Sequence, residues 1–342
     1  MTGPILFFVC FVASFFGVLC FRRLVAKAEL LDIPNERSSH ITPTPRGGGA
    51  VFVVVSLAAY VVISFSYPNT FSWGFLAGAV LVVVISWLDD LFSIWFVWRF
   101  LAHGVAAALL IADVGYWQNL YLPFVSLHLD LGIFGFVVTF LWITWVVNSY
   151  NFMDGIDGIA ALQSVIAASS WVVLSYFFEM PALYFFCGVI AASSLGFLIH
   201  NWQPARIFMG DVGSAFLGFA FAAMPLLAKH ETDRPEYDLI VAGFVFLWFF
   251  IFDSVVTFLL RLFRGDNVFS AHREHIYQKL TQSGMSHGRV TVIYGLLTLV
   301  LNIFAVTSLV LFRAASFVIL CGAIFLTSVL LVIYQSSRPK EP

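Results

Sequence analysis

Long apolar runs alternate with short polar segments along the chain. Each run is apolar on all its faces, whereas the strands of a membrane barrel would alternate polar and apolar positions, so the pattern predicts helices. A helix needs about 20 mostly apolar residues to cross the hydrocarbon core of a bilayer. Eleven runs approach that length, and we expect membrane-spanning helices at about residues 3–21, 48–66, 71–88, 98–113, 132–149, 158–178, 182–199, 212–228, 239–260, 290–312 and 315–334.

The composition excludes a water-soluble enzyme. Of the 342 residues, 61% are hydrophobic and 11% are charged, against about 45–50% and about 25% in soluble domains. A soluble domain must cover its surface with polar groups, and this chain has too few of them. We therefore predict an all-α polytopic membrane protein, in which residues 1–342 form one integral membrane domain. The net charge of −2 provides no basic field for a nucleic-acid partner.

The positions of lysine and arginine predict how the helices are oriented. Cytoplasmic loops carry an excess of these residues. The odd-numbered gaps between the predicted spans, together with Arg99 at the adjoining start of the fourth span and the C-terminal tail, hold 14 of the 17 lysines and arginines, and the even-numbered gaps hold 3. We therefore expect the N-terminus to lie outside and the C-terminus to lie in the cytoplasm.

Unusual polar residues gather at the ends of the spans that are predicted to face the cytoplasm. Ionisable groups at membrane depth are costly, and by default they mark function. Because segments that are far apart in sequence share one face, they can form a composite active site. We expect that site to be built from the loops 22–49, 89–98, 148–158, 200–214 and 261–289.

Four of these polar residues follow one another at steps of three positions. Asn148, Asn151, Asp154 and Asp157 occur in the segment NSYNFMDGIDG. Steps of three place side chains roughly on one side of a helical segment. Carboxylates with an amide oxygen are hard ligands that suit Mg²⁺, which keeps water and a substrate phosphate in its coordination shell. A loop rich in turn-forming residues is the alternative interpretation.

Three further carboxylates also have a functional and a structural interpretation. Asp89 and Asp90 form an adjacent pair that could act as a base or contact a cation, or could be a solvated helix end. Asp211 lies in the segment GDVGS, where Gly213 and Ser214 open a helix whose N–H groups could meet a phosphate. Asp211 could face a metal there, or Asp211 or Ser214 could cap the helix.

Basic residues near the same face suit a phosphate-rich ligand. Arg46 lies in the glycine-containing loop 35–49, and Arg99 lies at the start of the fourth span. A third basic group occupies the segment AHREH, with the residues His272, Arg273 and His275. This segment has no third close ligand for zinc, and its chemistry favours a diphosphate or a sugar. Topology alone could also explain the basic residues of the loop 35–49, and Arg99 could be an interfacial residue that extends to the headgroups.

The ordered motifs resemble those of a known enzyme family. RSSHxxPTPRGGG, the aspartate pair, NxxNFMDGIDG, GDVGS and the basic segment AHREHIYQKL occur here in the order found in the polyprenyl-phosphate N-acetylhexosamine-1-phosphate transferases, of the glycosyltransferase family 4 type. The resemblance covers about residues 35–335. The predicted topology looks like that of the branch that initiates O-antigen synthesis, and the AHREHIYQ segment resembles enzymes that act on 6-deoxy-N-acetylhexosamines.

Membership of this family would imply a reaction. The enzyme would transfer an N-acetylhexosamine 1-phosphate from a UDP-sugar to undecaprenyl phosphate and release UMP, with Mg²⁺ required and Mn²⁺ as the other candidate ion. The resemblance implies UDP-FucNAc, UDP-QuiNAc or UDP-GlcNAc as the donor and lipopolysaccharide O-antigen or a related cell-envelope polysaccharide as the product. It implies the bacterial inner membrane as the location, with a cytoplasmic active site, and is compatible with a homodimer.

The resemblance also suggests roles for individual residues. In the family, the positions of Asn151 and Asp211 hold the metal, and Asp89 is the usual candidate to deprotonate or position the lipid phosphate. The expected catalytic residues are Asp89, Asp90, Asp154 and Asp157. The residues expected to bind substrate are Asn148, Arg46, Arg99, Gly213, Ser214, His272, Arg273 and His275.

A transporter or flippase of lipid-linked or phosphorylated substrates is the competing interpretation. Buried carboxylates could relay protons or bind a coupling cation in such a protein. Transporters usually place these charges near the midplane of the bilayer, on broken helices, and often contain inverted repeats. Here the clusters lie at one interface and the sequence shows no internal repeat, so the enzyme is favoured.

Overall fold

A computed structural model describes residues 3–27, 31–32, 43–122, 127–268, 270, 272–311 and 315–337. Within these ranges the chain forms thirteen α-helices and two short antiparallel hairpins. The helices are α1 (Gly3–Lys27), α2 (Gly49–Ser66), α3 (Trp73–Phe92), α4 (Phe96–Val114), α5 (Phe134–Phe152), α6 (Ile159–Phe177), α7 (Pro181–Asn201), α8 (Asp211–Ala228), α9 (Glu236–Phe246), α10 (Trp248–Arg264), α11 (Ile276–Gln282), α12 (His287–Leu311) and α13 (Ala315–Ser336).

The hairpins are small and lie between helices. In the first, β1 (Leu31–Asp32) pairs with β2 (Thr44–Pro45). In the second, β3 (Asn119–Leu122) pairs with β4 (Leu127–Asp130), so that Asn119 lies opposite Asp130. The predicted loop 22–49 is described only in part, and its RSSH motif, at residues 37–40, lies outside the described residues.

The prediction of an all-α polytopic membrane protein is confirmed. Among the described residues, nine helices are long and apolar enough to cross a membrane, or ten if α9 and α10 together count as one span. The run at 132–149, which we expected to be the fifth of the eleven spans, forms the 19-residue helix α5. This helix is long enough to cross a membrane, but it is less apolar than the nine because its last turns carry Asn148 and Asn151.

The run at 239–260, which we expected to be one span, forms two helices. Its two halves, α9 and α10, meet at an angle of 73°. Leu247 leaves the helical conformation between them, with φ −116° and ψ 12°. Contacts with other helices accompany the bend: Gly243 lies against Pro225 of α8, and the Trp248 indole donates a hydrogen bond to Thr327 Oγ1 of α13 at 2.7 Å.

Helix α8 is the centre of the bundle. Every residue from Val212 to Ala228 is buried, and α8 packs against α2, α3, α5 and α9. Gly218 permits a close approach of α5, because a Cβ atom at this position would lie 2.7 Å from the Val147 Cα. The first residue of this central helix is Asp211, which therefore lies among the helices that pack around α8. We call this end of the bundle the polar end.

Candidate active site

Five charged residues from four segments meet at the polar end. Asp211 accepts a hydrogen bond from Arg46 Nη2 on its Oδ1 atom at 2.6 Å and one from Arg99 Nη1 on its Oδ2 atom at 3.0 Å. The same two guanidinium groups reach the aspartate pair: Arg46 lies 2.9 Å from Asp90 Oδ1, and Arg99 lies 2.6 Å from Asp89 Oδ2. We call these five residues the central cluster. The structure thus brings together residues that are up to 165 positions apart.

Local backbone contacts place Arg46 beside Asp211. The N–H groups of Gly48 and Gly49 donate to the carbonyl oxygens of Phe208 and Met209 at 2.9 and 2.8 Å, so the loop that carries Arg46 runs along residues 207–213. Gly213, which we expected to bind substrate, has a packing role in this contact. A Cβ atom there would lie 2.9 Å from the Gly49 Cα, so both positions need glycine for the two segments to touch.

A tight turn between α3 and α4 places Arg99 beside Asp89. Helix α3 ends at Phe92, and Ser93 adopts a left-handed conformation with φ 49° while its N–H donates to the Asp89 carbonyl at 2.9 Å. Helix α4 then starts at Phe96 and runs back along α3. This reversal brings the Arg99 side chain, in the first turn of α4, onto the Asp89 carboxylate.

Asp90 caps the central helix. Its Oδ1 atom accepts the N–H of Asp211 at 3.2 Å, and its Oδ2 atom accepts the N–H of Val212 at 3.4 Å. A carboxylate at a helix N-terminus satisfies free N–H groups and interacts favourably with the helix dipole. The alternative interpretation of the sequence, in which Asp211 or Ser214 caps the helix, is wrong. The cap comes from α3, and the Ser214 hydroxyl instead donates to the Gly210 carbonyl at 3.3 Å.

Asn151 and Asp154 lie next to the central cluster. The Asn151 Nδ2 group donates to Ser214 Oγ at 2.9 Å, and Ser214 follows Asp211 by one turn of α8. Asp154 lies just after the end of α5. Burial and the nearby charge of Asp211 raise the pKa of the Asp154 carboxyl well above its usual range. For Arg46, burial opposes the charged form, but the carboxylates of Asp211 and Asp90 outweigh it and raise the pKa.

The rest of the four-residue array does not lie on one helical face as the spacing suggested. Helix α5 ends at Phe152, so Asp154 and Asp157 belong to a turn. The Asn148 side chain donates to the Thr144 carbonyl of its own helix at 2.7 Å. Asp157 accepts the N–H of Ala205 at 3.1 Å, and its Oδ1 atom lies 3.3 Å from His287 Nδ1. Asp157 therefore fastens the turn to neighbouring segments.

The residues around Asp211 offer oxygen atoms of the kind that bind a divalent cation. Within the described ranges, no three His, Cys, Asp or Glu side chains are grouped so as to hold a metal by themselves. Oxygen ligands are nevertheless available. A carboxylate has about four lone-pair sites, and Asn151 bonds Ser214 through its Nδ2 group, so the hydrogen bond to Ser214 does not use its amide oxygen. Among the described residues of this site, four carboxylates face two guanidinium groups; the carboxylates are Asp89, Asp90, Asp154 and Asp211. Burial and the charge of Asp211 raise the pKa of the Asp154 carboxyl, and a bound cation would offset the repulsion between these carboxyl groups.

The basic segment differs in part from the expectation. His275 is buried, and its Nδ1 atom lies 3.2 Å from Asp253 Oδ1, so its ring holds the local structure. Burial, with the charges of His275 and Arg261, lowers the pKa of His272 to about 4. His272 is therefore a neutral hydrogen-bonding group near pH 7 rather than a cation. The Arg273 carbonyl accepts a hydrogen bond from Gln282 Nε2 at 3.0 Å.

Sequence reasoning missed several supporting residues. His287 pairs with Asp157, and Tyr277 reaches the turn after α5 through a hydrogen bond to the Phe152 carbonyl at 2.9 Å. His103 is buried one turn beyond Arg99 on α4. Only His103 gave a signal, because Arg99 and His103 are four positions apart on a predicted span and therefore share a helix face.

Comparisons with known proteins identify transferases that are similar to this chain. A family model described as glycosyl transferase family 4 matches residues 72–229. A Bacillus subtilis protein named as a probable undecaprenyl-phosphate N-acetylglucosaminyl 1-phosphate transferase is 30% identical over 333 residues, covering 96% of this chain and 90% of the relative. A Mycobacterium leprae decaprenyl-phosphate N-acetylglucosaminephosphotransferase is 30% identical over 355 residues, covering 91% of this chain and 84% of the relative.

A third relative carries a different sugar in its name. A Listeria monocytogenes phospho-N-acetylmuramoyl-pentapeptide-transferase is 28% identical over 306 residues, covering 84% of this chain and 92% of the relative. The fold and the site define a multi-pass membrane protein with a carboxylate-rich centre at one end of its helices. Together with the relatives, they show that the chain belongs to the polyprenyl-phosphate N-acetylhexosamine-1-phosphate transferase family.

Proposed function

We propose that the protein transfers an N-acetylhexosamine 1-phosphate from a UDP-sugar to undecaprenyl phosphate and releases UMP. The observation that carries this proposal is the central cluster, in which Asp211 lies between two guanidinium groups at the start of a buried helix. Guanidinium groups are suited to phosphate. The names of the relatives supply the substrate class, a polyprenyl phosphate and a hexosamine 1-phosphate.

The reaction we propose is an in-line displacement. An oxygen of the lipid phosphate attacks the β-phosphorus of the UDP-sugar, a new P–O bond forms, and the bond from that phosphorus to the bridging oxygen breaks as UMP leaves. Asp89 either accepts the proton of the lipid phosphate or positions that phosphate for attack. Only modest basicity is needed, because the second pKa of a phosphate monoester is about 6. A two-step route through an aspartyl nucleophile is the alternative.

The residues of the central cluster have different parts in this scheme. Arg46 and Arg99 offer positive charge to the diphosphate and to the charge that develops on the leaving group. Asp211 and Asn151 would hold Mg²⁺, or Mn²⁺ in its place. The bound ion would offset the negative charge of the diphosphate. Asp90 keeps the start of α8 in position, so it supports the metal ligand Asp211 from the adjacent helix.

Exposed aromatic residues beside the cluster support a lipid acceptor. Phe92 is 70% exposed, Trp95 is 64% exposed and Trp98 is 57% exposed. They lie between Asp89 and Arg99 in sequence, and tryptophan is enriched where a membrane protein meets the headgroup region. A lipid phosphate that enters from the headgroup region would therefore reach Asp89 and Arg99 while its isoprenoid chain stays in the bilayer.

The donor and the biological role are further parts of the proposal. The names of the B. subtilis and M. leprae relatives favour UDP-GlcNAc, and the basic segment keeps UDP-FucNAc and UDP-QuiNAc as the other candidates. The product would start a cell-envelope polysaccharide, with O-antigen as one candidate. We place the active site on the cytoplasmic side of the bacterial inner membrane, where UDP-sugars are available. A homodimer stays a prediction.

Purified protein and a panel of donors test the proposal. The protein is incubated with undecaprenyl phosphate and UDP-GlcNAc, UDP-FucNAc or UDP-QuiNAc, and UMP and the lipid product are measured with Mg²⁺ and with EDTA. We expect UMP and a lipid-linked sugar diphosphate in equal amounts with at least one donor, and only when the metal is present. Absence of UMP with every donor would contradict the proposal and favour the alternative, a transporter.

A further inference from the structure

A tyrosine joins the basic segment to the turn that follows Asn151 at the end of α5. Helix α11 follows the basic segment directly, and its second residue is Tyr277. The Tyr277 hydroxyl donates to the Phe152 carbonyl, at the end of α5, at 2.9 Å. Phe152 lies between Asn151 and Asp154 in sequence. One buried side chain therefore spans from the segment that carries His272 and Arg273 to the turn beside the central cluster.

The contact is tight because of Gly155. A Cβ atom at this position would overlap the Tyr277 hydroxyl and would lie 3.0 Å from the Tyr277 Cζ atom. The Tyr277 side chain is fully buried, so it has little freedom to move away. The tyrosine ring and the turn are thus fitted to one another, and a change in one must move the other.

Asp253 fastens the other end of this connection. Its side chain is completely buried. Its Oδ1 atom accepts the N–H of Ile276 at 2.8 Å, and its Oδ2 atom accepts the N–H of Tyr277 at 3.2 Å and the hydroxyl of Tyr294 at 2.7 Å. His275 Nδ1 lies 3.2 Å from Oδ1. With these partners, Asp253 has the arrangement of an anchor for α11 rather than of a group that exchanges protons with substrate.

We propose that Tyr277, held by Asp253, is a positioning residue that sets the distance between the basic segment and the Asn151–Asp154 turn and thereby the affinity for the sugar diphosphate. The inference rests on the proposed function, because it assumes that His272 and Arg273 bind the UDP-sugar, as we expected from the sequence. In our scheme Asp89 receives the phosphate of the lipid acceptor and Arg99 serves both substrates, and the described contacts of Tyr277 reach neither residue. The connection therefore affects the donor and spares the acceptor.

Steady-state kinetics of Tyr277→Phe test the proposal. The substitution removes one hydroxyl and keeps the ring. Loss of a hydrogen bond of ordinary strength corresponds to about a two- to ten-fold change in affinity, so we expect the KM for the UDP-sugar to rise by about that factor. The KM for undecaprenyl phosphate should stay within about two-fold. The matched control is Tyr60→Phe, which removes another buried hydroxyl, bonded to Ser72 at 2.9 Å, at the opposite end of the bundle.

Equal changes in both KM values, or equal changes in the Tyr277→Phe and Tyr60→Phe proteins, would overturn the proposal. Total inactivity of the wild-type protein is a different result, because it contradicts the proposed function and not this connection. Hydrogen exchange of residues 272–282 gives a readout without turnover. The exchange should be faster in Tyr277→Phe than in the wild type, and unchanged exchange would also count against the proposal.

A double-mutant cycle tests the fit between the ring and the turn. Gly155→Ala introduces the overlapping Cβ atom, and we expect it to raise the KM for the donor by about ten-fold or more. In the Tyr277→Phe background the overlap with the hydroxyl is absent, so Gly155→Ala should raise this KM by a smaller factor. Additive effects would show that the two residues do not act through their contact and would overturn the proposal.

Discussion

Replacing Asp90 by alanine tests whether this carboxylate positions the start of the central helix. The substitution removes the acceptors of the Asp211 and Val212 N–H groups, at 3.2 and 3.4 Å, and the partner of Arg46 at 2.9 Å. Loss of an N-cap side chain costs about 0.5–2 kcal/mol, and a part-exposed ion pair adds up to about 1 kcal/mol. We therefore expect the free energy of unfolding to fall by about 0.5–3 kcal/mol.

Thermal unfolding in a fixed detergent and lipid mixture, together with turnover per folded enzyme, measures the effect. The matched variant is Asp89→Asn, since the Asp89 carboxylate contacts the Arg99 side chain and does not form the cap. Asp90→Ala should lower the apparent Tm by several degrees, and Asp89→Asn should lower it less. Asp89→Asn should reduce kcat by about 100-fold or more, the usual contribution of a catalytic base.

The Asp90→Asn variant sharpens the comparison. An asparagine keeps one acceptor oxygen, so it can bond one of the two N–H groups and should recover part of the stability that Asp90→Ala loses. The reasoning would be refuted if Asp90→Ala unfolded at the wild-type temperature. It would also be refuted if Asp90→Ala and Asp89→Asn showed the same pattern of stability and turnover, because the two carboxylates would then have one role.

Two further predictions concern residues whose contacts are outside the central cluster. The pKa of His272 is lowered to about 4 from about 6.5, so its contribution to stability is complete above about pH 6.5 and is lost as the pH falls toward 4. The Tm of His272→Gln should therefore depend less on pH in this range than the Tm of the wild type. Equal slopes for the two proteins would contradict the assignment. Asp157→Ala removes the partner of Ala205 and His287 and should lower Tm by several degrees. It should reduce turnover per folded enzyme less than Asp89→Asn does. A larger loss of turnover in Asp157→Ala than in Asp89→Asn would support a catalytic role for Asp157.

The fold class could be predicted from the sequence because apolar length alone determines whether a helix can span a bilayer. The break in the ninth span could not be predicted in this way. Residues 244–250 contain neither proline nor glycine, and the bend at Leu247 accompanies contacts of Gly243 with α8 and of Trp248 with α13. Such contacts depend on which helices become neighbours, and the hydropathy pattern carries no record of that.

The candidate site was partly predictable because charge is scarce in this chain. Asp89, Arg99 and Asp211 could be singled out for that reason, and the structure brings them together. Which carboxylate caps α8 could not be read from the sequence, because Asp90 comes from another helix. The role of Tyr277 was invisible as well, since an aromatic residue in an apolar chain gives no signal until its hydroxyl partner is known.

The spacing of the Asn and Asp array misled us for a physical reason. A step of three positions implies a shared face only while the chain stays helical. Helix α5 ends at Phe152, and Gly158 adopts a left-handed conformation with φ 77° before the next helix begins. Asp157 therefore leaves the face of Asn151 and bonds to Ala205. The composition of the segment, which is rich in glycine, favoured a turn, as the alternative interpretation held.

The most direct test of the central claim is the rate of UMP release by Asp211→Asn at increasing Mg²⁺ concentration, with Asp233→Asn as the control at an exposed aspartate beyond the far end of α8. Asn retains the shape of the side chain and removes the charge that faces Arg46 and Arg99. We predict that Asp211→Asn loses nearly all transfer at ordinary Mg²⁺, while Asp233→Asn transfers at the wild-type rate. Turnover by Asp211→Asn close to that of the wild type would contradict the account.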